Sequence, residues 1–160
     1  MSEKTLAAPA DPTASLIRSV RRIAQAIDVR SREIARLTGL TLPQLLVLQA
    51  IRSLGEVSSQ AISREVFMAP PTVMAVLDRL EARGLIERYR SAVDRRVVHS
   101  RLTPAGERAL DEAPELLGDT AIRRFAALPD DRRRALAEAL QSVSELLDAR
   151  AEPPGATPPG

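Results

Sequence analysis

Apolar residues recur at spacings of three and four along much of this 160-residue chain, a period typical of helices with one buried face. The first such stripe covers residues 16–37 and ends just before Gly39, a residue suited to a helix C-cap. Thr41 and Gln44 then fit a capping box at the start of a second helix. The pattern predicts a mainly helical protein of the α+β class.

A short helix, a turn and a longer helix are predicted next. Ser58 or Ser59 is suited to the N-cap of the short helix, and the turn falls within residues 68–72. The longer helix is predicted from about Pro70 to Arg83, because prolines are tolerated where backbone N–H groups would be unpaired anyway. This order is typical of a helix-turn-helix.

Two strand-like segments, Leu85–Arg90 and Val97–Thr103, follow the longer helix. They flank a tip that carries Asp94, Arg95 and Arg96. A ribbon of this width fits along a nucleic-acid groove, where guanidinium groups are attracted to the negative potential. The pattern therefore predicts a helix-turn-helix with a wing.

Charge is distributed unevenly along the chain. The net charge is only +2, but residues 83–101 contain six arginines against Glu87 and Asp94, a local balance of +4. Such clustering favours contact with phosphates. The alternative is a solvated hairpin surface in a protein that uses arginine nearly everywhere.

The helical pattern resumes after the ribbon. Thr103 and Pro104 begin a region in which Pro114 is predicted to kink or break the helix, and Pro129 opens the last helix. The winged helix-turn-helix needs only residues 39–106. The spare apolar faces at 13–38 and 107–150 therefore predict a helical dimerisation region, although they could instead cover the middle domain of the same chain. Residues 1–12 and 151–160 are predicted to be disordered tails.

Composition excludes several function classes. Aromatic residues make up 2% of the chain, so the core must consist of Leu, Ile, Val and Ala. The absence of cysteine excludes disulfides and, with His99 as the single histidine, argues against a structural zinc site. No cofactor, membrane span or signal peptide is expected, which predicts a cytoplasmic protein. No residue set has the spacing of a catalytic site, so an enzyme is disfavoured, and His99 is interpreted as a surface strand residue.

Four segments together resemble the MarR family of bacterial transcriptional regulators. They are LTLPQLLVLQAI at 40–51, VLDRLEARGLIER at 76–88, DRR at 94–96 and LTPAG at 102–106, within a similarity that covers about residues 14–150. The resemblance implies a winged helix-turn-helix on a helical dimerisation base. It also implies a homodimer that binds palindromic operators in double-stranded DNA, usually as a repressor. A weaker similarity, near the second helix and LLDA, points to a subgroup linked to osmolyte genes such as those for ectoine or choline uptake.

The resemblance also implies roles for individual residues. The helix from Pro70 to Arg83 would lie in the major groove, with Thr72 near a phosphate or base edge. Asp94 would hold the wing tip while Arg96 enters the minor groove. Charge alone favours Arg95 and Arg96 as groove contacts, with Asp94 fixing their geometry through a charge-assisted hydrogen bond. The two arguments agree on Arg96 and leave Arg95 as a candidate phosphate contact.

The predicted recognition helix departs from the family pattern. Relatives tend to place polar or basic residues after the Thr-Val pair, whereas this chain has Met74 and Ala75. These side chains can touch a thymine methyl but cannot make the bidentate contacts that distinguish guanine or adenine. Arg79 completes the predicted DNA-binding set. Sequence discrimination is therefore hypothesised to depend strongly on the wing and on DNA shape.

A small-molecule effector is a further expectation. Arg30, Arg32 and Arg36 would line one side of a cleft between the first two helices and the DNA-binding lobe, and could bind an anionic aromatic or carboxylate ligand. Salt bridges at a surface or interface are the favoured alternative for these arginines. The alternative for the whole protein is a winged helix that docks an acidic protein partner without binding specific DNA.

Overall fold

The computed structural model describes residues 11–148 and divides the chain into two compact units, with the boundary along the sequence between Leu116 and Leu117. Within the described residues the chain forms seven helices and three strands. In chain order they are α1 (Pro12–Thr38), α2 (Leu42–Leu54), β1 (Val57–Ser58), α3 (Ser59–Glu65), α4 (Pro70–Ala82), β2 (Ile86–Arg90), β3 (Val98–Leu102), α5 (Pro104–Glu112), α6 (Asp119–Ala126) and α7 (Asp130–Leu147). The predicted mainly helical α+β class is confirmed.

The predicted helix ends coincide with specific capping residues. Gly39 ends α1 in the left-handed conformation, with φ 68°. The Gln44 side-chain oxygen accepts a hydrogen bond from the Thr41 N–H at 3.0 Å, as the capping box requires. Ser58, not Ser59, caps α3, because its hydroxyl accepts from the Ala61 N–H at 3.3 Å. Helix α5 ends at Glu112, so the predicted interruption near Pro114 is a break.

The first unit contains a small antiparallel sheet with the strand order β1-β3-β2. Strands β2 and β3 form the predicted ribbon, in which Glu87 pairs with Arg101 and Tyr89 pairs with His99. Strand β1 was not predicted, because two residues are too few to show an alternating pattern. It pairs with the middle of β3, where Val57 lies opposite Ser100 and Ser58 opposite His99, and so joins the ribbon to the helical part of the unit.

The hydrophobic core of the first unit lies among α2, α3, α4 and the sheet, with single contributions from α1 and α5. A fully buried Leu or Ile stabilises a fold by about 1.5–3 kcal/mol, so this cluster accounts for much of the unit's stability. Its least exposed large members are Ile34, Leu40, Leu45, Leu48, Ile51, Ile62, Leu77, Leu80 and Ile86.

Three helices leave apolar faces outside this core. Ile34 is the only buried residue of α1, and neither α6 nor α7 contains a buried residue. The exposed apolar side chains of these helices include Leu16, Ile17, Ile23, Val29, Leu37, Ile122, Phe125, Leu136, Leu140, Leu146 and Leu147. Each of these side chains is at least 40% exposed in the single chain.

The predicted domain limits can be compared with the structure only in part. Asp11 and Pro12, the last residues of the predicted N-terminal tail, are the N-cap and first residue of α1. Residues 1–10 and 149–160 lie outside the described residues. In the described part, no single helix is long and apolar enough to cross a membrane. Only α1 and α2 together reach that length and hydropathy, and they are bent by 78° at their junction.

Candidate nucleic-acid interface

Helix α4 turns one face to the core and the other to solvent. Its buried residues are Val73, Val76, Leu77 and Leu80. The four α4 residues predicted to contact DNA are all exposed: Thr72, Met74, Ala75 and Arg79. The helical period separates them on the outward side, with Ala75 opposite the buried stripe and Met74 on one flank. Thr72 and Arg79 share the other flank. The geometry therefore leaves the predicted contact set accessible.

The turn between α3 and α4 contains a strained aromatic residue. Phe67 has φ 53°, in the left-handed region that glycine or asparagine usually occupies, and its side chain is 81% exposed. The turn is held by the Ser63 hydroxyl, which donates to the Met68 carbonyl at 2.5 Å. The sequence gives no signal for this conformation, since phenylalanine is rare there. Phe67 places an exposed ring next to the start of α4.

Thr103 and Gly106 fasten the ribbon to the end of α4. The Thr103 hydroxyl donates to the Gly84 carbonyl at 2.7 Å and accepts from the Gly106 N–H at 3.1 Å. The Thr103 N–H donates to the Leu85 carbonyl at 3.1 Å. A Cβ atom added to Gly106 would overlap that carbonyl oxygen. The LTPAG segment thus closes the ribbon where its two strands meet the helices.

Arg88 joins the ribbon to α4 through two carboxylates. Its guanidinium lies 2.5 Å from Glu81 and 2.8 Å from Asp78, and its side chain is largely covered. The hydrogen bond from Arg88 lowers the pKa of Glu81, and the same pair raises the pKa of Arg88. The local balance of +4 includes Arg88, whose charge is paired within the fold and therefore less available to phosphates.

Arg101 is also paired within the wing. Its guanidinium contacts the Glu87 carboxylate across the strand pair and lies 3.6 Å from Glu56. It also lies 5.1 Å from the centre of the Tyr89 ring, which meets His99 edge to face. On the outer face of the ribbon, the positive charge of Arg101 is therefore paired with carboxylates of the same chain. The balance of +4 counted along the sequence overstates the positive charge that remains unpaired there.

Hydrogen bonds within the backbone shape the tip of the wing. The Ser91 N–H donates to the Val97 carbonyl at 2.9 Å, and the Val97 N–H donates to the Asp94 carbonyl at 3.0 Å. The Asp94 carboxylate accepts from the Arg96 N–H at 3.0 Å. A carboxylate bonded to the backbone two residues ahead fixes a tight turn. Asp94 thus holds the backbone from which Arg96 projects.

The tip arginines differ from those at the base of the ribbon. Among the described residues, no acidic group forms an ion pair with Arg95 or Arg96, and both side chains are exposed. Arg90 supports them, since its guanidinium donates to the Arg95 carbonyl at 2.9 Å. The tip therefore presents unpaired guanidinium groups on a hydrogen-bonded turn. Their contact with DNA stays a prediction.

The three arginines of the predicted effector cleft are not brought together. Arg30 forms an ion pair with Glu33 at 2.6 Å and donates to the Glu115 carbonyl at 2.9 Å. Arg32 forms an ion pair with Asp28 at 2.6 Å. The helical period places Arg32 and Arg36 on one side of α1 and Arg30 on another. The ligand-binding role of these residues stays a prediction.

Comparison with known proteins identifies the family. Residues 38–97 match the model of the MarR family. YsmB of Bacillus subtilis, an uncharacterized HTH-type transcriptional regulator, is 35% identical over 104 residues, which are 65% of this chain and 71% of YsmB. The chain belongs to the MarR family. TtmR of Methylorubrum extorquens, an HTH-type transcriptional regulator, is 36% identical over 112 residues, although the chain spans only 56% of TtmR.

Solved structures of DNA-binding and regulatory proteins share the fold. The regulator BldR from Sulfolobus solfataricus has a TM-score of 0.68 at 25% identity, covering 88% of this chain and all of BldR. BpsR of Bordetella bronchiseptica, whose DNA binding is regulated by 6-hydroxynicotinic acid, has a TM-score of 0.68 at 26% identity, covering 86% of this chain and 99% of BpsR. This MarR-family protein is therefore a DNA-binding transcriptional regulator with a winged helix-turn-helix. The link to osmolyte genes stays a prediction.

Proposed function

We propose that this MarR-family protein is a homodimeric repressor that binds palindromic operators and acts in the bacterial cytoplasm. Residues 39–106 would form the DNA-binding domain, with α4 in the major groove and Arg96 in the flanking minor groove. The observation that carries this proposal is the contrast within the wing, where Arg95 and Arg96 are unpaired at the tip while Arg88 and Arg101 are paired at its base. A narrow minor groove attracts unpaired arginines of this kind.

The dimer is supported by the uncovered apolar faces of α1, α6 and α7. Soluble monomers seldom leave extended apolar faces exposed, and such faces usually mark protein interfaces. Side chains such as Leu16, Ile23, Leu136 and Leu140 are between 40% and 57% exposed in the single chain. Residues 13–38 and 107–150 would bury these faces against a second copy. Two-fold symmetry then matches two recognition helices to two half-sites.

Release by a small anionic effector is the regulatory part of the proposal. The relative BpsR, regulated by 6-hydroxynicotinic acid, supports an anionic ligand of this class. Arg30, Arg32 and Arg36 remain the candidate contacts. Arg36 is the member of this set whose charge is unpaired among the described residues. Titration of the protein–DNA complex with 6-hydroxynicotinate or benzoate, compared between the natural chain and Arg36→Ala, tests this assignment.

Selection of bound sequences from random duplexes tests the main proposal. We expect a palindrome whose half-sites lie about one helical turn apart, roughly 34–36 Å, bound by two copies of the chain. Affinity should fall steeply with added salt, because phosphate contacts release counterions. Sedimentation of the free protein should give a dimer. If no sequence is enriched and no salt-dependent binding occurs, the winged helix is instead a module that docks an acidic protein partner.

A further inference from the structure

We propose that α4 selects its half-site by apolar contact of Met74 and Ala75 with thymine 5-methyl groups, and that hydrogen bonds to purine edges contribute little to this selection. This inference rests on the proposed function, because it requires α4 to lie in the major groove. It specifies the operator class: half-sites with thymine at the positions that face these two residues.

The first observation is the chemistry of the outward side of α4. Ala75 lies opposite the buried stripe, and Met74 beside it is 40% exposed. Pro71 extends the same outward side toward the start of the helix. Asp78 is the acidic residue on this side, and its carboxylate is bonded to Arg88 at 2.8 Å. Met74, Ala75 and Pro71 therefore surround Asp78 with apolar groups, and the Asp78 carboxylate, although 62% exposed, is already paired with Arg88.

The second observation concerns the start of α4, where backbone N–H groups often bind phosphate. Pro70 and Pro71 occupy the first helical positions and have no N–H to offer. The Val73 N–H donates to the Ala69 carbonyl at 3.1 Å. Of the first four α4 residues, only Thr72 retains an N–H without a helical partner. The start of α4 therefore offers few backbone N–H groups to a phosphate, and α4 must contact DNA mainly through its side chains.

The thymine methyl is the group in the major groove that such a surface can recognise. The other major-groove features of the four bases, apart from carbon-bound hydrogens, are hydrogen-bond donors and acceptors. Methionine is flexible and polarizable, so it adapts to a methyl group, while alanine lets the helix approach closely. Thr72 and Arg79 remain on the opposite flank for contacts to phosphate. Removal of one thymine methyl that is buried against α4 should weaken DNA binding about fourfold.

Removing individual thymine 5-methyl groups from the DNA tests this inference. With the full chain and an operator obtained by selection, each thymine of a half-site is replaced by deoxyuridine, which removes only the 5-methyl group. We expect about a fourfold loss of affinity at one or two positions per half-site, and no loss in flanking DNA. At the same positions, replacing thymine by cytosine should weaken binding, and 5-methylcytosine should restore part of the loss relative to cytosine.

Matched variants connect the effect to α4. Met74→Gln keeps the side-chain length but not its apolar character, and should reduce the deoxyuridine effect; Met74→Leu should keep it. Arg79→Ala should weaken binding to all duplexes and leave the deoxyuridine effect unchanged. If the operator is bound tightly and deoxyuridine has no effect at any half-site position, this inference is wrong while the proposed function stands. If no duplex is bound specifically, both this inference and the proposed function are wrong.

Discussion

The base and the tip of the wing contain the same residue type in opposite electrostatic surroundings. At the base, Arg88 is paired with Asp78 and Glu81, and Arg101 with Glu87 and Glu56. At the tip, Arg95 and Arg96 have no acidic partner among the described residues. Position within a β-ribbon therefore decides whether an arginine stabilises the fold or remains available to a ligand.

The difference follows from what each end of the ribbon can reach. The base lies against α4 and Glu56, the residue before β1, whose carboxylates are close enough to pair with guanidinium groups. Exposed ion pairs contribute about 0–1 kcal/mol. Removing one partner of a more covered pair costs more, because it leaves the other charge unpaired and poorly solvated. The tip projects beyond these elements, and the carboxylate of Asp94 there bonds to the Arg96 backbone N–H, not to a guanidinium group. The base is thus expected to control stability and the tip to control DNA affinity.

The strongest disruption of the base is expected at Gly106. Gly106→Ala would place a methyl group against the Leu85 carbonyl, which already accepts from the Thr103 N–H. We expect a loss of unfolding free energy of roughly 3 kcal/mol, the upper range for overpacking, because backbone must move. Chemical denaturation monitored by circular dichroism measures it. Glu107→Ala, on the exposed face one residue further along α5, is the control and should change the unfolding free energy by less than about 0.5 kcal/mol.

A smaller effect is expected when Arg88 is replaced. Arg88→Ala removes the link between β2 and α4 and the packing of its aliphatic stem, and should lower the unfolding free energy by about 1–2 kcal/mol. Arg88→Lys keeps the charge without the two-pronged geometry and should recover part of the loss. Equal stability of the natural chain and Arg88→Ala would contradict a structural role for the base.

The smallest expected effect concerns pH. Arg88 lowers the pKa of Glu81 below 4.5 in the folded chain, so the stability contributed by this carboxylate is present above about pH 4.5. It is lost as the pH falls through the folded-state pKa, when the carboxylate becomes protonated. Glu81→Gln should therefore melt at a lower temperature than the natural chain near pH 7, by an amount that shrinks below pH 4. A difference independent of pH would contradict the pairing.

Features set by neighbouring residues could be predicted from the sequence. The left-handed cap at Gly39 and the cap at Ser58 depend on residues within one helical turn. The break near Pro114 follows from the missing N–H of proline. The order of helices, and hence the helix-turn-helix with its wing, follows from the same local signals.

Features that depend on contacts between distant segments could not be predicted. Strand β1 exists because Val57 meets Ser100, which is remote in sequence. The pairing of Arg88 with Asp78 requires the ribbon to fold back on α4, so a count of charges along the chain could not predict it. The left-handed conformation of Phe67 runs against the preference of its residue type and is set by the turn around it.

The salt dependence of operator binding tests the division between tip and base most directly. The slope of log Kd against log salt concentration is measured for the natural chain, Arg96→Ala and Arg101→Ala on the selected operator. We expect Arg96→Ala to reduce the magnitude of the slope by about 1, because a guanidinium in the minor groove also neutralises DNA charge and releases a counterion, with its melting temperature unchanged. Arg101→Ala should leave the slope unchanged. A reduced slope for Arg101→Ala together with an unchanged slope for Arg96→Ala would contradict the account.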